Sequence, residues 1–169
     1  MSRILLPRRV LNALEDQRRT AHPLETGGFL QGIRRGDDIE VTDFTAAEPG
    51  DKATRTSFER RSRHHQTKLS SSWRKSDGVV SLVGDWHSHP AGTGTPSRTD
   101  LRAWAKLLRA IRLDGAALIL TQNRIRVFWL KKRFRTVTIT ELQMVYQNSV
   151  DLVFGLETGT DQKQPTLEA

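Results

Sequence analysis

The sequence predicts an α/β or α+β sandwich built around one mixed β-sheet. Two observations support this class: apolar residues recur at helical spacing in three segments, and short runs rich in Val, Ile and Leu lie between them. Helical and extended segments therefore alternate along the chain, without an internal repeat. The 169 residues suit one domain of ordinary size, which can bury a full hydrophobic core.

The first half of the chain predicts a strand, a helix and a hairpin. Residues 4–6 have the composition of a strand, and residues 7–20 carry an apolar stripe at helical spacing. Residues 25–32 and 39–44 predict two strands joined at a Gly-Asp-Asp turn. A polar, loop-like segment follows over residues 45–57.

The second half predicts two helices and four strands. Residues 62–73 have an amphipathic pattern, and residues 98–113 predict the clearest helix of the chain. A strand is predicted over residues 79–87, in which alternation places Leu82 and Trp86 on the face opposite to Val83 and His87. Three apolar runs predict the remaining strands, at 116–120, 125–130 and 134–139.

Composition sets the predicted domain boundary and location. Residues 1–150 are predicted to form one domain, and residues 151–169 a polar, flexible C-terminal tail. The chain has no cysteine, so any metal must be held by nitrogen and oxygen ligands. No apolar run is long enough to span a bilayer, and no signal-peptide pattern is present. We therefore expect a cytoplasmic protein without a membrane partner.

The chain is strongly basic, with a net charge of +8 at neutral pH that lies largely in short Arg and Lys clusters. Such charge suits an acidic partner, either a protein or a nucleic acid, but also an ordinary solvated surface. No nucleic-acid-reading motif accompanies it. The solvated surface is therefore favoured, and no nucleic-acid partner is expected.

Two histidines at the end of the 79–87 strand predict a metal site. His87 and His89 are two residues apart, so their side chains point the same way on an extended backbone. Asp100 can return from the following loop as a third ligand, which leaves one tetrahedral position for water, as in catalytic zinc sites. A group must still take the proton of that water, and Glu25, shortly before a glycine pair, is the candidate.

Part of the same stretch also has an explanation without metal. Ser97 and Asp100 precede an apolar helix at the spacing of a capping box, with Ser97 as the N-cap residue. This explanation leaves the His-Ser-His sequence unaccounted for. The two interpretations are compatible, because the cap can be what aims Asp100 at the metal.

The combination of Glu25, His87-Ser-His89-Pro, Ser97 and Asp100 resembles the JAMM motif of the MPN+ (JAB-type) zinc metalloproteases. Seven residues separate the second histidine from the serine and two more separate the serine from the aspartate, as in the motif. The resemblance implies an MPN/JAB-like (cytidine-deaminase-like) three-layer sandwich, a mixed curved β-sheet flanked by helices. It also implies that His87, His89 and Asp100 bind Zn²⁺, that Glu25 is the general base, and that Ser97 stabilises the oxyanion.

The implied function is a zinc-dependent isopeptidase or peptidase that cleaves after the C-terminal glycine of a ubiquitin-like modifier or conjugated target protein. Residues 57–69, 84–87 and 96–104 also look similar to bacterial JAB proteases of anti-phage operons such as CBASS, which implies a role in antiviral defence. The implied partners are the glycine-ended conjugate and, within such an operon, the conjugating E1/E2-like enzyme or the cyclic-nucleotide synthase. The alternatives are a non-catalytic MPN binding module and a JAB peptidase that processes a sulfur-carrier protein.

Three other residues remain open at this point. His64 and His65 could form a second metal site, but no acidic partner is evident, so a surface or packing role is favoured. Asp85 either orients one of the metal-binding histidines or faces solvent.

Overall fold

A mixed β-sheet with a helix on each face organises the chain, as seen in a computed structural model that describes residues 2–133, 136–156 and 166–168. The helices of these residues are α1 (Arg8–Ala21), α2 (His64–Lys75) and α3 (Arg98–Ile111). The strands are β1 (Ile4–Pro7), β2 (Gly27–Arg35), β3 (Asp38–Phe44), β4 (Lys52–Ala53), β5 (Phe58–Glu59), β6 (Ser81–Ser88), β7 (Gly115–Leu120), β8 (Ile125–Lys132), β9 (Thr136–Gln147), β10 (Asp151–Gly155) and β11 (Thr166–Glu168).

The strand order of the large sheet is β10-β1-β3-β2-β6-β7-β8-β9-β11, and β10 also pairs with β9. Because of this additional pairing, the eight strands from β10 to β9 form a closed ring, which we call the eight-stranded ring. The β1–β3 and β6–β7 pairs are parallel, whereas the other neighbours are antiparallel. The predicted mixed α/β sheet is therefore confirmed. Strands β4 and β5 form a separate two-stranded sheet.

Alternation along β7 shows how the sheet separates two hydrophobic cores. Ala116, Leu118 and Leu120 pack in the cluster that contains the buried residues of α1. Ala117 and Ile119 pack in the cluster that contains the buried residues of α3. Helices α1 and α3 therefore cover opposite faces of the sheet, as expected for three layers.

The C-terminal part of the chain departs from the predicted tail. Residues 151–155 form β10, which pairs with both β1 and β9 and buries Leu152 and Phe154. These five residues belong to the sheet because their alternation is that of a half-buried strand, which the polar composition of the later residues obscured. Residues 166–168, which were also assigned to the tail, form β11 and pair with β9. Residues 157–165 and 169 of the predicted tail lie outside the described residues.

Strand β6 departs from the predicted alternation. Leu82 packs against the α3 cluster, but Val83 and Trp86 both lie in the α1 cluster. The cause is a register shift, in which Leu30 pairs with Gly84 and the next residue of β2 pairs with Leu82. The extra residue in β6 is a bulge, and a bulge reverses the side-chain alternation of the strand.

None of the helices in the described part of the chain is long and apolar enough to cross a bilayer. The cytoplasmic location expected from the sequence stays a prediction.

Candidate active site

A cleft of about 290 Å³ at the C-terminal end of β6 contains all five residues that the sequence nominated. The N-terminal turn of α3 forms one side of it, and the segment before and within β5 forms another. The nominated residues lining the cleft are Glu25, His87, His89, Ser97 and Asp100.

The two histidines converge because β6 stays extended to its end. His87 lies opposite Gly27 on one side and Ile119 on the other, and the backbone N–H of His89 donates to the Leu120 carbonyl at 2.9 Å. The two rings therefore project to the same side, with their Nε2 atoms 3.1 Å apart. Both Nε2 lone pairs can face one cation, whereas two protonated rings at this distance would repel each other.

Asp100 completes the group from the first turn of α3. Its Oδ1 lies 3.3 Å from Nε2 of His87, and its Oδ2 lies 3.4 Å from Nε2 of His89. The capping box is also present: the Ser97 N–H donates to Oδ2 of Asp100 at 2.7 Å, and the Asp100 N–H donates to the Ser97 hydroxyl oxygen. The capping interpretation is therefore confirmed, and the cap holds the Asp100 carboxylate against the histidines, whereas the metal interpretation stays a prediction.

The donor set suits a divalent metal ion. One ligand atom each from His87, His89 and Asp100 lie within 4.8 Å of one another, and no other such group occurs in the described part of the chain. Two neutral imidazoles and one carboxylate leave a coordination position open. The field at the site also attracts positive charge: although burial alone would lower the pKa of His87, Asp100 and Asp85 raise it to about 9.

Glu25 is held in the cleft by its backbone. Its N–H donates to the Thr54 carbonyl at 2.8 Å, so the start of β2 is joined to the segment before β5. A Cβ on Gly28 would lie 1.8 Å from the Thr45 carbonyl oxygen, and one on Gly27 would lie 2.7 Å from the Trp86 carbonyl oxygen. Gly27 therefore allows the close approach of β2 to β6 next to Glu25, and Gly28 allows the close approach of β2 to the segment after β3.

The carboxyl group of Glu25 is buried and suited to hold a proton. Burial raises its pKa, and the positive charge of His89 and His87 opposes that shift. A raised pKa makes a carboxyl group a better proton acceptor, which suits a residue that takes a proton and then returns it.

Asp85 and Arg60 form an ion pair next to His87. Asp85 is buried, with Oδ1 3.4 Å from Nδ1 of His87 and Oδ2 2.6 Å from a guanidinium nitrogen of Arg60. Asp85 therefore faces a histidine and not solvent. No functional role for Arg60 was predicted from the sequence, because its partner is distant in the chain and no local pattern marks it.

His64 and His65 have acidic partners that the sequence did not suggest. His65 is buried, with Nε2 2.9 Å from Asp51 and Nδ1 2.7 Å from the Thr45 hydroxyl. His64 is half-exposed and lies 3.3 Å from Glu48. The favoured packing and surface roles agree with these positions, but the premise that no acid lies nearby was wrong.

Comparison with known proteins identifies the family. Residues 7–131 match the model of the prokaryotic homologues of the JAB domain. The chain is 36% identical over 111 residues to a Vibrio cholerae protein named CD-NTase/cGAS isopeptidase, covering 66% of this chain and 69% of that protein. It is 33% identical over 110 residues to a Sinorhizobium fredii protein named "Probable metalloprotease", covering 63% and 66%.

A solved structure has a similar fold. The solution structure of a Desulfitobacterium hafniense protein superimposes with a TM-score of 0.60 and 25% identity, covering 83% of this chain and 89% of that one. The chain therefore belongs to the family of prokaryotic JAB-domain proteins, and among its relatives are proteins named as isopeptidases. The predicted resemblance and the predicted enzyme class, a JAB-type metalloprotease, are confirmed at the level of the family. The chain matches about two thirds of the length of these relatives.

Proposed function

We propose that this chain is a zinc-dependent isopeptidase or peptidase that cleaves after the C-terminal glycine of a ubiquitin-like modifier or of a ubiquitin-like conjugated target protein. The observation that carries the proposal is the convergence of His87, His89 and Asp100 in one cleft with the buried carboxyl group of Glu25. A site that served only to brace the fold would favour four protein ligands and would need no acid beside them.

Each of the five residues has a role in the proposed reaction. His87, His89 and Asp100 would hold zinc, which when bound supplies a polarised water and a positive charge next to the scissile carbonyl. Glu25 takes a proton from the attacking water and returns it to the leaving amine. The Ser97 hydroxyl oxygen accepts the Asp100 N–H, so its proton remains available to donate to the carbonyl oxygen as negative charge develops there.

The surroundings of the cleft suit an extended, glycine-ended tail. The eight-stranded ring offers no edge near the site, but β5 has β4 on one side and no described strand on the other. Phe58 of β5 lines the cleft. A tail that lay along β5 would be held by backbone hydrogen bonds, which read a glycine-rich segment without needing side chains.

The names of the relatives support a protein conjugate as the substrate. The Vibrio cholerae and Escherichia coli relatives are named CD-NTase/cGAS isopeptidases. By analogy, the substrate proposed here is a protein joined through a glycine C-terminus, as in CBASS antiviral defence, with the cyclic-nucleotide synthase or the E1/E2-like enzyme of the same operon as the partner. A sulfur-carrier-protein peptidase would use the same cleft on a free carrier protein, so assays should include both kinds of substrate.

The Glu25→Gln variant tests the catalytic assignment. We expect it to bind about one zinc ion per chain, as the wild type does, but to lose hydrolysis of a glycine-ended conjugate by at least about 10³-fold, since the proton acceptor is removed. Zinc is measured by mass spectrometry of the purified protein, with His89→Ala as the variant that loses it. Unchanged hydrolysis in Glu25→Gln would exclude Glu25 as the base, whereas zinc binding without turnover of any conjugate in the wild type would favour the non-catalytic binding module.

A further inference from the structure

The ion pair between Arg60 and Asp85 is buried and directed at a metal ligand. The Asp85 side chain is 3% exposed and the Arg60 side chain 21% exposed, and their closest nitrogen and oxygen atoms are 2.6 Å apart. The two carboxylate oxygens of Asp85 divide their contacts, with Oδ2 facing Arg60 and Oδ1 facing Nδ1 of His87. A buried ion pair is expensive to form, so it needs a reason beyond stability.

The remaining contacts of Arg60 fix its position. Its guanidinium carbon lies 4.5 Å from the ring centroid of Phe29, and one of its nitrogens donates to the Gly28 carbonyl at 3.3 Å. Both contacts are to β2, and Phe29 lies directly opposite Asp85 in the sheet. The guanidinium is therefore held by a ring, a carbonyl and a carboxylate at once, a combination that lysine cannot reproduce.

Arg60 also belongs to a wall of the cleft. We call residues 54–60 the cleft wall, because Arg55, Thr56, Ser57, Phe58 and Arg60 line the cleft. The wall is attached to the rest of the site at both ends. At one end the Thr54 carbonyl accepts the N–H of Glu25, and at the other end Arg60 pairs with Asp85.

We propose that Arg60 is a positioning residue that couples the cleft wall to the metal ligand His87 through Asp85, so that metal binding and ordering of the wall stabilise each other. A carboxylate that accepts the Nδ1–H of a ligating histidine fixes the tautomer that presents Nε2 to the metal. Arg60 keeps that carboxylate in place, and the same contact holds the wall against β2. Coupling of this kind is reciprocal: if the ordered wall improves metal affinity, the metal orders the wall by the same factor.

Zinc affinity measured by competition with a chromogenic chelator tests the coupling without any substrate. We expect Arg60→Gln and Asp85→Asn each to weaken zinc binding about 10- to 100-fold. The double variant should bind zinc as tightly as whichever single variant has the lower affinity, because both changes break the same path. Arg61→Gln is the matched control, because the Arg61 side chain makes only an exposed ion pair with Glu59. We expect its zinc affinity to stay within about twofold of the wild type.

Hydrogen exchange of the cleft wall provides a second measurement, in which the coupling is read from the change that zinc causes. A purely structural role of Arg60 would change exchange of the wall equally with and without zinc. In the wild type and in Arg61→Gln, zinc should slow exchange of the backbone amides of the wall, and in Arg60→Gln this slowing should be absent. Arg60→Lys keeps the positive charge, so its zinc affinity should lie between that of the wild type and that of Arg60→Gln. If Arg60→Gln does not fold, Arg60→Lys and Asp85→Asn carry the same comparison.

The outcomes separate this inference from the proposed function on which it rests. A wild-type protein that binds no zinc contradicts the proposed metal site itself. Wild-type zinc affinity in Arg60→Gln and Asp85→Asn, or zinc protection of the wall that persists without Arg60, overturns the coupling and leaves the metal site intact. Strictly additive losses in the double variant would also contradict a single path through Asp85.

Discussion

Two residues of the site each serve the fold and the proposed chemistry. Ser97 caps α3 and in the proposed reaction also binds the carbonyl oxygen of a substrate. Asp100 is the N3 residue of the capping box and also belongs to the candidate metal-binding group. A mutation at either position therefore mixes an effect on stability with an effect on activity. For Ser97 the two effects can be separated by comparing two replacements that both lack the hydroxyl group but differ in how well they cap a helix.

Substitution of Ser97 by alanine and by glycine separates its two roles. Alanine lacks the cap and should cost about 1 kcal/mol of stability, whereas glycine is tolerated at an N-cap and should cost only a few tenths. Neither residue has a hydroxyl group, so both variants should lose hydrolysis to the same extent, about 10²-fold. Thermal unfolding and kcat/KM on one conjugate are the measurements. If the alanine variant lost more activity than the glycine variant, in parallel with its lower stability, Ser97 would act only as a helix cap.

At the residue scale, the sequence identified the five candidate site residues but not Arg60. The five share a spacing along the chain that a motif records, and His87 and His89 are also joined by the geometry of an extended strand. The contact between Arg60 and Asp85 depends on how a loop folds back onto β2 and β6. Such a long-range contact leaves no local pattern.

At the element scale, periodicity predicted the helices and most strands within a few residues, because long apolar stripes dominate local propensity. Four strands were missed: β4 and β5 have two residues each, and β10 and β11 both lie in the segment that was predicted to be a tail. The bulge in β6 was also missed, since the register of β2 against β6 is set by tertiary packing, including the close approach of Gly27 to Trp86 and His87. The amphipathic pattern of residues 62–73 predicted a longer buried face than α2 has: His65 in its first turn is buried, but Trp73 near its end is 55% exposed.

The connection between β3 and α2 is organised by one buried carboxylate. Burial alone would raise the pKa of Asp51, but four hydrogen bonds lower it to about 2. The donors are the backbone N–H groups of Ser62, Glu48 and Arg61 and the ring of His65. Since this pKa lies below the ordinary value of about 3.9, ionised Asp51 stabilises the folded state at neutral pH, and that contribution is lost as the pH falls from about 4 to about 2.

Replacement of Asp51 tests this contribution. We expect Asp51→Asn to lower the free energy of unfolding by about 2 kcal/mol at pH 7, and the difference from the wild type to shrink as the pH falls below about 4. Urea unfolding between pH 7 and pH 3 is the measurement. Asp37→Asn, at an exposed turn position, is the control and should match the wild type throughout. A difference that stays constant with pH would show that Asp51 acts by packing and not by its charge.

At the scale of the whole molecule, the closed ring of strands determines where the chain can be shortened. Strand β10 joins β1 to β9, so the N-terminal and C-terminal parts of the described chain meet in one sheet. The sequence predicted the sheet and its mixed character, but closure requires knowing which strands become neighbours. Residues 151–155 were therefore assigned to a tail, although they complete the ring.

Two truncated chains test the importance of this closure. A chain that ends at Leu156 keeps β10 and should unfold cooperatively within a few degrees of the full-length chain. A chain that ends at Asn148 loses the buried Leu152 and Phe154, worth about 3–6 kcal/mol, and exposes the edges of β1 and β9. We expect it to lack a cooperative transition in differential scanning calorimetry. Equal melting of the two chains would mean that the ring is dispensable.

Asp100 belongs both to the helix cap and to the candidate metal-binding group, and this double role affects which site residues would be lost first in descendants that no longer need catalysis. Ser97 and Asp100 hold the start of α3 through two backbone hydrogen bonds, so selection for a folded protein alone would preserve them. The described polar contacts of the His87 and His89 side chains are with Asp85, with Asp100 and with each other, and none of them holds the backbone of a helix, so we expect drift to remove the histidines first. A descendant that keeps only the serine and the aspartate therefore gives no indication that it is still an enzyme. A descendant that keeps both histidines does give that indication.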